Sequence, residues 1–205
     1  MREATGFVTA GGRSSRMGGG KAWLDVGGRA MISRVIDALS PVCANLAIIA
    51  NSTEYERLGL PVFSDSSIGI GPLEAIRTAM ANARTAHVIV AACDLPFVTS
   101  ELFAFLLKVD GDWEAIVPLD CDGRMEPLCA VYSSESLGCV TELIEHGHRR
   151  IGSLLERVRT RLVTFDEVRV LDGAESFFEN VNTPEDYSRV IERLAGGGQA
   201  PGDRG

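Results

Sequence analysis

The first half of the chain alternates short apolar runs with segments whose apolar residues recur at helical spacing. Because the runs are continuous rather than alternating, they predict strands that are buried on both faces of a sheet. These runs are residues 7–10, 46–50 and 88–92, with a further extended piece at 61–63. The helical segments are residues 31–39, 54–58, 72–83 and 100–108. The resulting order, β-α-β-α-β-α-β-α, predicts an α/β fold of three layers, with a mostly parallel central sheet and helices on both faces.

The second half of the chain departs from this order. Two strand-like segments, residues 115–119 and 128–132, flank Asp122-Gly123, a pair of residues typical of a hairpin turn. Thr183 and Pro184 predict the start of a final helix that runs to about Leu194. The remaining predicted elements are a helix over 137–146, a helix opened by a capping box at 153–156, and a strand at 161–165, for which 168–171 is the candidate partner strand. We expect a single domain at 1–195 and a flexible tail at 196–205.

A glycine-rich segment follows the first predicted strand. It carries five glycines among residues 11–20, together with the cations Arg13, Arg16 and Lys21. Glycine lets the backbone approach a ligand closely, and Arg and Lys attract phosphate oxygens. A P-loop is excluded, because Ser15 and Ala22 stand where that motif requires Gly and Ser or Thr, and no G-x-G-x-x-G motif is present. The segment therefore predicts a different kind of polyphosphate-binding loop.

Polar residues follow the other predicted strands of the first half. Asn51, Asp65 and Asp94 each stand at or just beyond the end of an apolar run. In a parallel sheet of this class, ligands bind at the carboxyl ends of the strands. We therefore expect these three residues and the glycine-rich loop to converge on one edge of the sheet.

Composition narrows the class of protein without identifying the reaction. The 205 residues are 45% hydrophobic and 23% charged, and the formal net charge is −8. This charge argues against a general nucleic-acid binder, and no apolar run approaches the length of a membrane span. Five cysteines without a C-x-x-C pair favour reduced thiols over a metal site or a disulfide framework. We expect a cytoplasmic protein, with no nucleic acid and no membrane among its partners.

Five motifs in order along the chain resemble those of the molybdenum cofactor guanylyltransferases, nucleotidyltransferases with a Rossmann-like fold. The motifs are TAGGRSSRMGGGK at 9–21, GPL at 71–73, CDLPF at 93–97, EPLCAVY at 126–132 and NVNTPED at 180–186. The resemblance implies transfer of GMP from GTP to the phosphate of molybdopterin cofactor, which gives molybdopterin guanine dinucleotide and pyrophosphate. It also implies protein partners that deliver molybdopterin and receive the product.

The resemblance also implies roles for individual residues. Arg16 and Lys21 hold the triphosphate, and Asp94 binds the Mg²⁺ that bridges the phosphates; these three are the expected catalytic residues. Asn180 and Asn182 face the pterin side or the metal, unless they make only local capping bonds. The remaining expected nucleotide contacts are Thr9, Ala10, Gly11, Gly12, Asn51 and Asp65.

Several alternatives remain open at this point. Thr9 and Gly20 depart from the common family pattern without removing a phosphate donor. Ala75 stands where the family usually has Gly, a change expected to alter how closely that helix approaches the ligand. Cytidylyltransferases of this superfamily tend to carry A-A-G-x-S in the first loop and G-D-x-G-A-R late in the chain, whereas this chain has TAGG at 9–12 and GHRR at 147–150, which favours guanine over cytosine. A cytidylyltransferase, or a nucleotidyltransferase for another phosphorylated acceptor, is the second reading. A non-catalytic module that binds GTP or the cofactor is a third reading. Further candidate contacts to the anionic cofactor or to the loops above it are Glu126, Arg149 and Arg150.

Overall fold

The computed structural model describes residues 2–10, 20–64 and 71–196. In this part of the chain the strands are β1 (Ala4–Thr9), β2 (Asn45–Ile49), β3 (Val62–Phe63), β4 (His87–Ala92), β5 (Ala115–Pro118), β6 (Cys129–Ser133) and β7 (Thr160–Val163). They form one sheet in the order β3-β2-β1-β4-β6-β5-β7. Strand β6 runs antiparallel to β4 and β5, and the other neighbouring strands pair in parallel. The prediction of a mostly parallel sheet is confirmed.

Helices cover both faces of the sheet. The described α-helices are α1 (Met31–Leu39), α2 (Pro72–Ala81), α3 (Ser100–Lys108), α4 (Leu137–Glu145), α5 (Ile151–Leu155), α6 (Phe165–Val168) and α7 (Pro184–Gly196). Short 3₁₀-helices span Lys21–Trp23, Thr53–Leu58, Ser134–Ser136 and Ala174–Ser176. Successive strand residues point to opposite faces: Val8 packs in the core under α1 and α3, and Phe7 in the core under α2, α4 and α5. The three-layer architecture follows from these two cores.

Two local predictions in the second half are wrong. Helix α5 begins at Ile151 rather than at a capping box on Ser153, because the helix extends one turn earlier and buries Ile151 with Leu154. Residues 168–171 do not form a strand beside β7. Thr164 and Glu167 form a capping box that starts α6, and β7 pairs in parallel with β5 instead.

The last helix begins as the sequence predicts. The Thr183 hydroxyl accepts a hydrogen bond from the Asp186 amide, and Asp186 Oδ2 accepts from the amides of Asn182 and Thr183. Val190 on α7 packs with Val26 and Val181 in a third, smaller core. The division between a domain at 1–195 and a tail at 196–205 stays a prediction. No helix within the described residues is long and apolar enough to cross a membrane.

Candidate nucleotide site

Three central strands end at the same level of the sheet. Thr9 of β1 lies opposite Ile49 of β2 on one side and Ala92 of β4 on the other. Hydrogen bonds continue just beyond these ends: Ala10 donates to the Ile49 carbonyl at 2.9 Å, and Cys93 donates to the Thr9 carbonyl at 3.0 Å. The chain segments that leave these strands therefore start side by side, which agrees with the expected position of a ligand site.

Lys21, Asp94 and Asn182 meet at this edge of the sheet. Lys21 Nζ lies 2.7 Å from Asp94 Oδ2 and 2.8 Å from Asn182 Oδ1. The Lys21 side chain is 12% exposed and the Asp94 side chain 20% exposed, so this ion pair is largely shielded from water. Three sequence motifs thus contribute one side chain each to a single cluster, which we call the lysine clasp.

Local structure holds each member of the lysine clasp in place. Lys21 opens a 3₁₀-helix directly after Gly20, whose φ of 78° is a conformation that glycine adopts without strain. Asp94 follows β4, and its carbonyl accepts a hydrogen bond from the Val181 amide at 3.1 Å. Val181 is fully buried. The segment before α7 is therefore fastened to the end of β4, which brings Asn182 beside Lys21.

The two oxygens of the Asp94 carboxylate differ in their contacts. Its Oδ1 atom is buried and has no hydrogen-bond partner among the described residues, whereas Oδ2 is held by Lys21. A buried, unpartnered carboxylate oxygen is costly unless a ligand satisfies it. Carboxylate and amide oxygens are suitable ligands for Mg²⁺, which needs only one or two carboxylates from the protein. Asp94 and the Asn182 side-chain oxygen therefore fit a hard divalent cation. No group of three or more His, Cys, Asp and Glu that could bind a metal occurs in the described part of the chain.

Glu126 lies at the same edge of the sheet, ahead of β6. Because β6 is antiparallel to β4, the start of β6 lies beside the end of β4, and Ala92 donates to the Leu128 carbonyl at 2.7 Å. Burial raises the pKa of Glu126 to about 7, and the nearby carboxylates of Asp120 and Asp94 add to the increase. Near neutral pH, a fraction of Glu126 is therefore protonated and adds less than a full negative charge to this edge.

Other candidates lie around the lysine clasp or outside the described residues. Asn51 is exposed and lies two residues after the end of β2. The Asn180 amide donates to the Phe178 carbonyl at 3.4 Å, which is a local contact rather than one with the lysine clasp. Arg149 and Arg150 are exposed, and an added Cβ at Gly71 would lie 3.3 Å from the Arg149 carbonyl, so this turn borders the start of α2. The predicted contacts that fall outside the described residues are Gly11, Gly12, Arg16 and Asp65.

Three residues beside the site are missing from the sequence predictions. Trp23, Tyr55 and Arg57 stack together, and the Tyr55 hydroxyl donates to the Ala10 carbonyl at 3.4 Å. No local motif marks them, since Tyr55 is 45 residues from Ala10 along the chain. The only sequence indication is the presence of large aromatic residues in two short segments, both of which flank expected nucleotide contacts.

Comparisons with known proteins agree with this fold and these motifs. The model of the MobA-like NTP transferase domain matches residues 6–167. The chain is 34% identical over 192 residues to a probable molybdenum cofactor guanylyltransferase of Carboxydothermus hydrogenoformans, covering 94% of this chain and 97% of that protein. It is 38% identical over 191 residues to a protein of the same name from Pelotomaculum thermopropionicum, covering 93% of each.

A solved structure matches over nearly the whole chain as well. Molybdopterin-guanine dinucleotide biosynthesis protein A from Archaeoglobus fulgidus superposes with a TM-score of 0.79 at 26% identity, covering 94% of this chain and 99% of that one. The family resemblance of the five motifs is thereby confirmed. The chain belongs to the family of MobA-like NTP transferases and is a nucleotidyltransferase.

Proposed function

We propose that the protein transfers GMP from GTP to the phosphate of molybdopterin cofactor in a Mg²⁺-dependent reaction in the cytoplasm. The products are molybdopterin guanine dinucleotide and pyrophosphate. The names of the relatives support this assignment. The observation that carries it is the lysine clasp, in which a cation from the glycine-rich motif and a carboxylate from the CDLPF motif meet at 2.7 Å.

Charge is the main obstacle to this reaction. An oxygen of the acceptor phosphate attacks the α-phosphorus of GTP, and the bond from that phosphorus to the oxygen bridging to the β-phosphate breaks. Pyrophosphate leaves with the electron pair, so two anions must approach each other while a third departs. Lys21 is the described cation best placed to offset this charge, and catalysis needs positioning and electrostatic stabilisation rather than a protein nucleophile.

Asp94 and Asn182 are the residues that would hold the metal ion. This role is supported by the buried Asp94 Oδ1, which has no hydrogen-bond partner in the described part of the chain. When bound, Mg²⁺ would neutralise phosphate charge and orient the phosphate oxygens. Lys21 supplies a compensating positive charge to the Asp94 carboxylate. Lys21 must therefore exchange at least part of this contact for phosphate oxygens when the nucleotide binds.

The test is to supply molybdopterin cofactor and Mg²⁺ with either GTP or CTP, and to measure pyrophosphate and the dinucleotide product. We expect turnover with GTP. Lys21→Met should reduce turnover by at least 100-fold, as is typical when one electrostatic donor is removed from an active site. The exposed Lys108 provides the matched control, and Lys108→Met should keep full activity.

Each opposite outcome identifies a different alternative. Turnover with CTP alone would make the protein a cytidylyltransferase, and GTP turnover only with a different phosphorylated acceptor would exclude molybdopterin. Tight GTP binding without pyrophosphate release would indicate a non-catalytic module. Protein partners that deliver molybdopterin or accept the product would appear as co-purifying proteins in a cell that makes the cofactor.

The metal assignment has its own experiment. Removing metal with EDTA should abolish turnover, and added Mg²⁺ should restore it. Binding of Mn²⁺ can be followed by its electron paramagnetic resonance spectrum. Asp94→Asn should lose this binding. Asp172 is exposed, and the control variant Asp172→Asn should keep it. Unchanged Mn²⁺ binding in Asp94→Asn would exclude Asp94 as the metal ligand.

A further inference from the structure

An aromatic stack lies beside the proposed nucleotide site. The Trp23 and Tyr55 rings are nearly parallel, at an angle of 19°, with centroids 5.4 Å apart. The Arg57 guanidinium carbon lies 3.5 Å from the centroid of the Trp23 ring, a cation–π contact. We call these three residues the Trp23 stack. It joins the 3₁₀-helix that begins at Lys21 to the 3₁₀-helix that follows β2.

Tyr55 also contacts the end of β1. Its hydroxyl donates to the Ala10 carbonyl at 3.4 Å, and the Ala10 amide donates to the Ile49 carbonyl at 2.9 Å. Tyr55 is only 7% exposed, and burial raises the pKa of its phenol to about 12. The hydroxyl therefore stays protonated at physiological pH and remains a hydrogen-bond donor.

One side chain thus connects two segments that are both expected to contact the nucleotide. Ala10 stands directly before residues 11–19, and Lys21 stands directly after Gly20. Tyr55 holds the Ala10 carbonyl through its hydroxyl and holds Trp23, two residues after Lys21, through its ring. Because transferase chemistry depends on precise placement of the reacting groups, a fixed relation between Ala10 and Lys21 favours nucleotide binding.

We propose that Tyr55 is a positioning residue for nucleotide binding, which fixes the Ala10 backbone relative to Lys21 through the Trp23 stack. This inference rests on the proposed function, because it assumes that the site binds a nucleoside triphosphate. It also implies that Trp23, which adjoins Lys21, changes its fluorescence when the nucleotide binds.

The chain has two tryptophans, so Trp113→Phe leaves Trp23 as the single indole. In this background, Tyr55→Phe keeps the stacked ring and removes only the hydroxyl. Tyr132→Phe is the matched control, because the Tyr132 hydroxyl also donates to a backbone carbonyl, that of Pro127 at 2.6 Å, and does not contact Ala10. Each protein is titrated with GTP and with CTP while Trp23 fluorescence is recorded, and steady-state turnover and melting temperature are measured in parallel.

We expect the nucleotide to change Trp23 fluorescence in the Trp113→Phe protein. Tyr55→Phe should raise both Kd and KM for the nucleotide about 3- to 10-fold, the range for loss of one hydrogen bond, and leave kcat within about twofold. Tyr132→Phe should lower the melting temperature without changing Kd or KM. A change in Kd and KM for Tyr55→Phe, but only in melting temperature for Tyr132→Phe, separates a positioning role from a purely structural one.

Three results would overturn the inference in distinguishable ways. If Tyr55→Phe bound the nucleotide as tightly as its parent, within about twofold, Tyr55 would be a packing residue and the proposed function would stand. If the parent protein bound neither GTP nor CTP, the proposed function and this inference would both fail. A nucleotide that bound without any change in Trp23 fluorescence would place the nucleotide away from the Trp23 stack and would also overturn the inference.

Discussion

The ion pair of the lysine clasp should contribute to stability as well as to function, and a double-mutant cycle measures this contribution. At 2.7 Å, the Coulomb attraction of Lys21 and Asp94 is about 6 kcal/mol at an effective dielectric constant of about 20, before desolvation is subtracted. Removing one partner from a fully buried pair costs about 3–5 kcal/mol, whereas exposed pairs contribute about 0–1 kcal/mol. The side chains of Lys21 and Asp94 are 12% and 20% exposed, so this pair lies between a fully buried and an exposed ion pair.

We therefore expect Lys21→Met to lower the free energy of unfolding by about 2–3 kcal/mol, because it leaves the Asp94 carboxylate without its counter-ion. For a chain of this length the corresponding fall in melting temperature is about 4–12 °C. Asp94→Asn should cost less, because Lys21 keeps its contact with Asn182. The double variant should be more stable than the sum of the two single effects predicts, with a coupling energy of about 1–2 kcal/mol.

The assay is urea unfolding in EDTA at pH 7.5, followed by circular dichroism and tryptophan fluorescence. EDTA is required because a bound metal ion would itself stabilise Asp94. The exposed pair of controls, Lys108→Met with Asp172→Asn, should give additive effects. A coupling energy below about 0.5 kcal/mol for Lys21 and Asp94 would refute the reasoning, since the pair would then behave as an ordinary exposed salt bridge.

Three further predictions concern pH, packing and thiol reactivity. Folded Glu126 keeps its proton to about pH 7 and an unfolded glutamate releases it near pH 4.5, so the free energy of unfolding falls as pH rises between these values. In EDTA, Glu126→Gln should therefore melt higher than the parent at pH 8 and equally at pH 4; a difference independent of pH would contradict this. An added Cβ at Gly6 would lie 2.6 Å from Leu46 Cδ2, so Gly6→Ala should lower the free energy of unfolding, measured in urea, by about 1–3 kcal/mol. Iodoacetamide should alkylate exposed Cys121 first and buried Cys129 only after unfolding, as peptide mass spectrometry would establish; equal rates would contradict the burial of Cys129.

The wrong prediction of a strand at 168–171 has a physical cause. The strand predicted at 168–171 requires β7 to pair with its neighbour in sequence, whereas β7 pairs with β5, which precedes it by more than forty residues. Apolar residues such as Val168 suit either a strand or a helix that faces the core. The capping box of Thr164 and Glu167 favours the helix, and the choice of strand partner depends on the whole sheet.

The sequence by itself determined the features that depend on neighbouring residues. Continuous apolar runs predicted the parallel strands, Pro72 and Thr183 predicted helix starts, and the five motifs identified the family. These features follow from local backbone preferences and from the alternation of strands and helices.

Only the tertiary structure decided which side chains meet. Lys21 and Asp94 are 73 residues apart, Lys21 and Asn182 are 161 apart, and Ala10 and Tyr55 are 45 apart. The positions of Asp94 and the loop after predicted parallel strands suggested that they share one edge of the sheet, but no sequence pattern gives a distance between side chains. The register of β1 with β2 and β4, and the hydrogen bond from Val181 to Asp94, bring these residues together. Such contacts depend on how distant segments pack against one another, and residue spacing along the chain does not encode that packing locally.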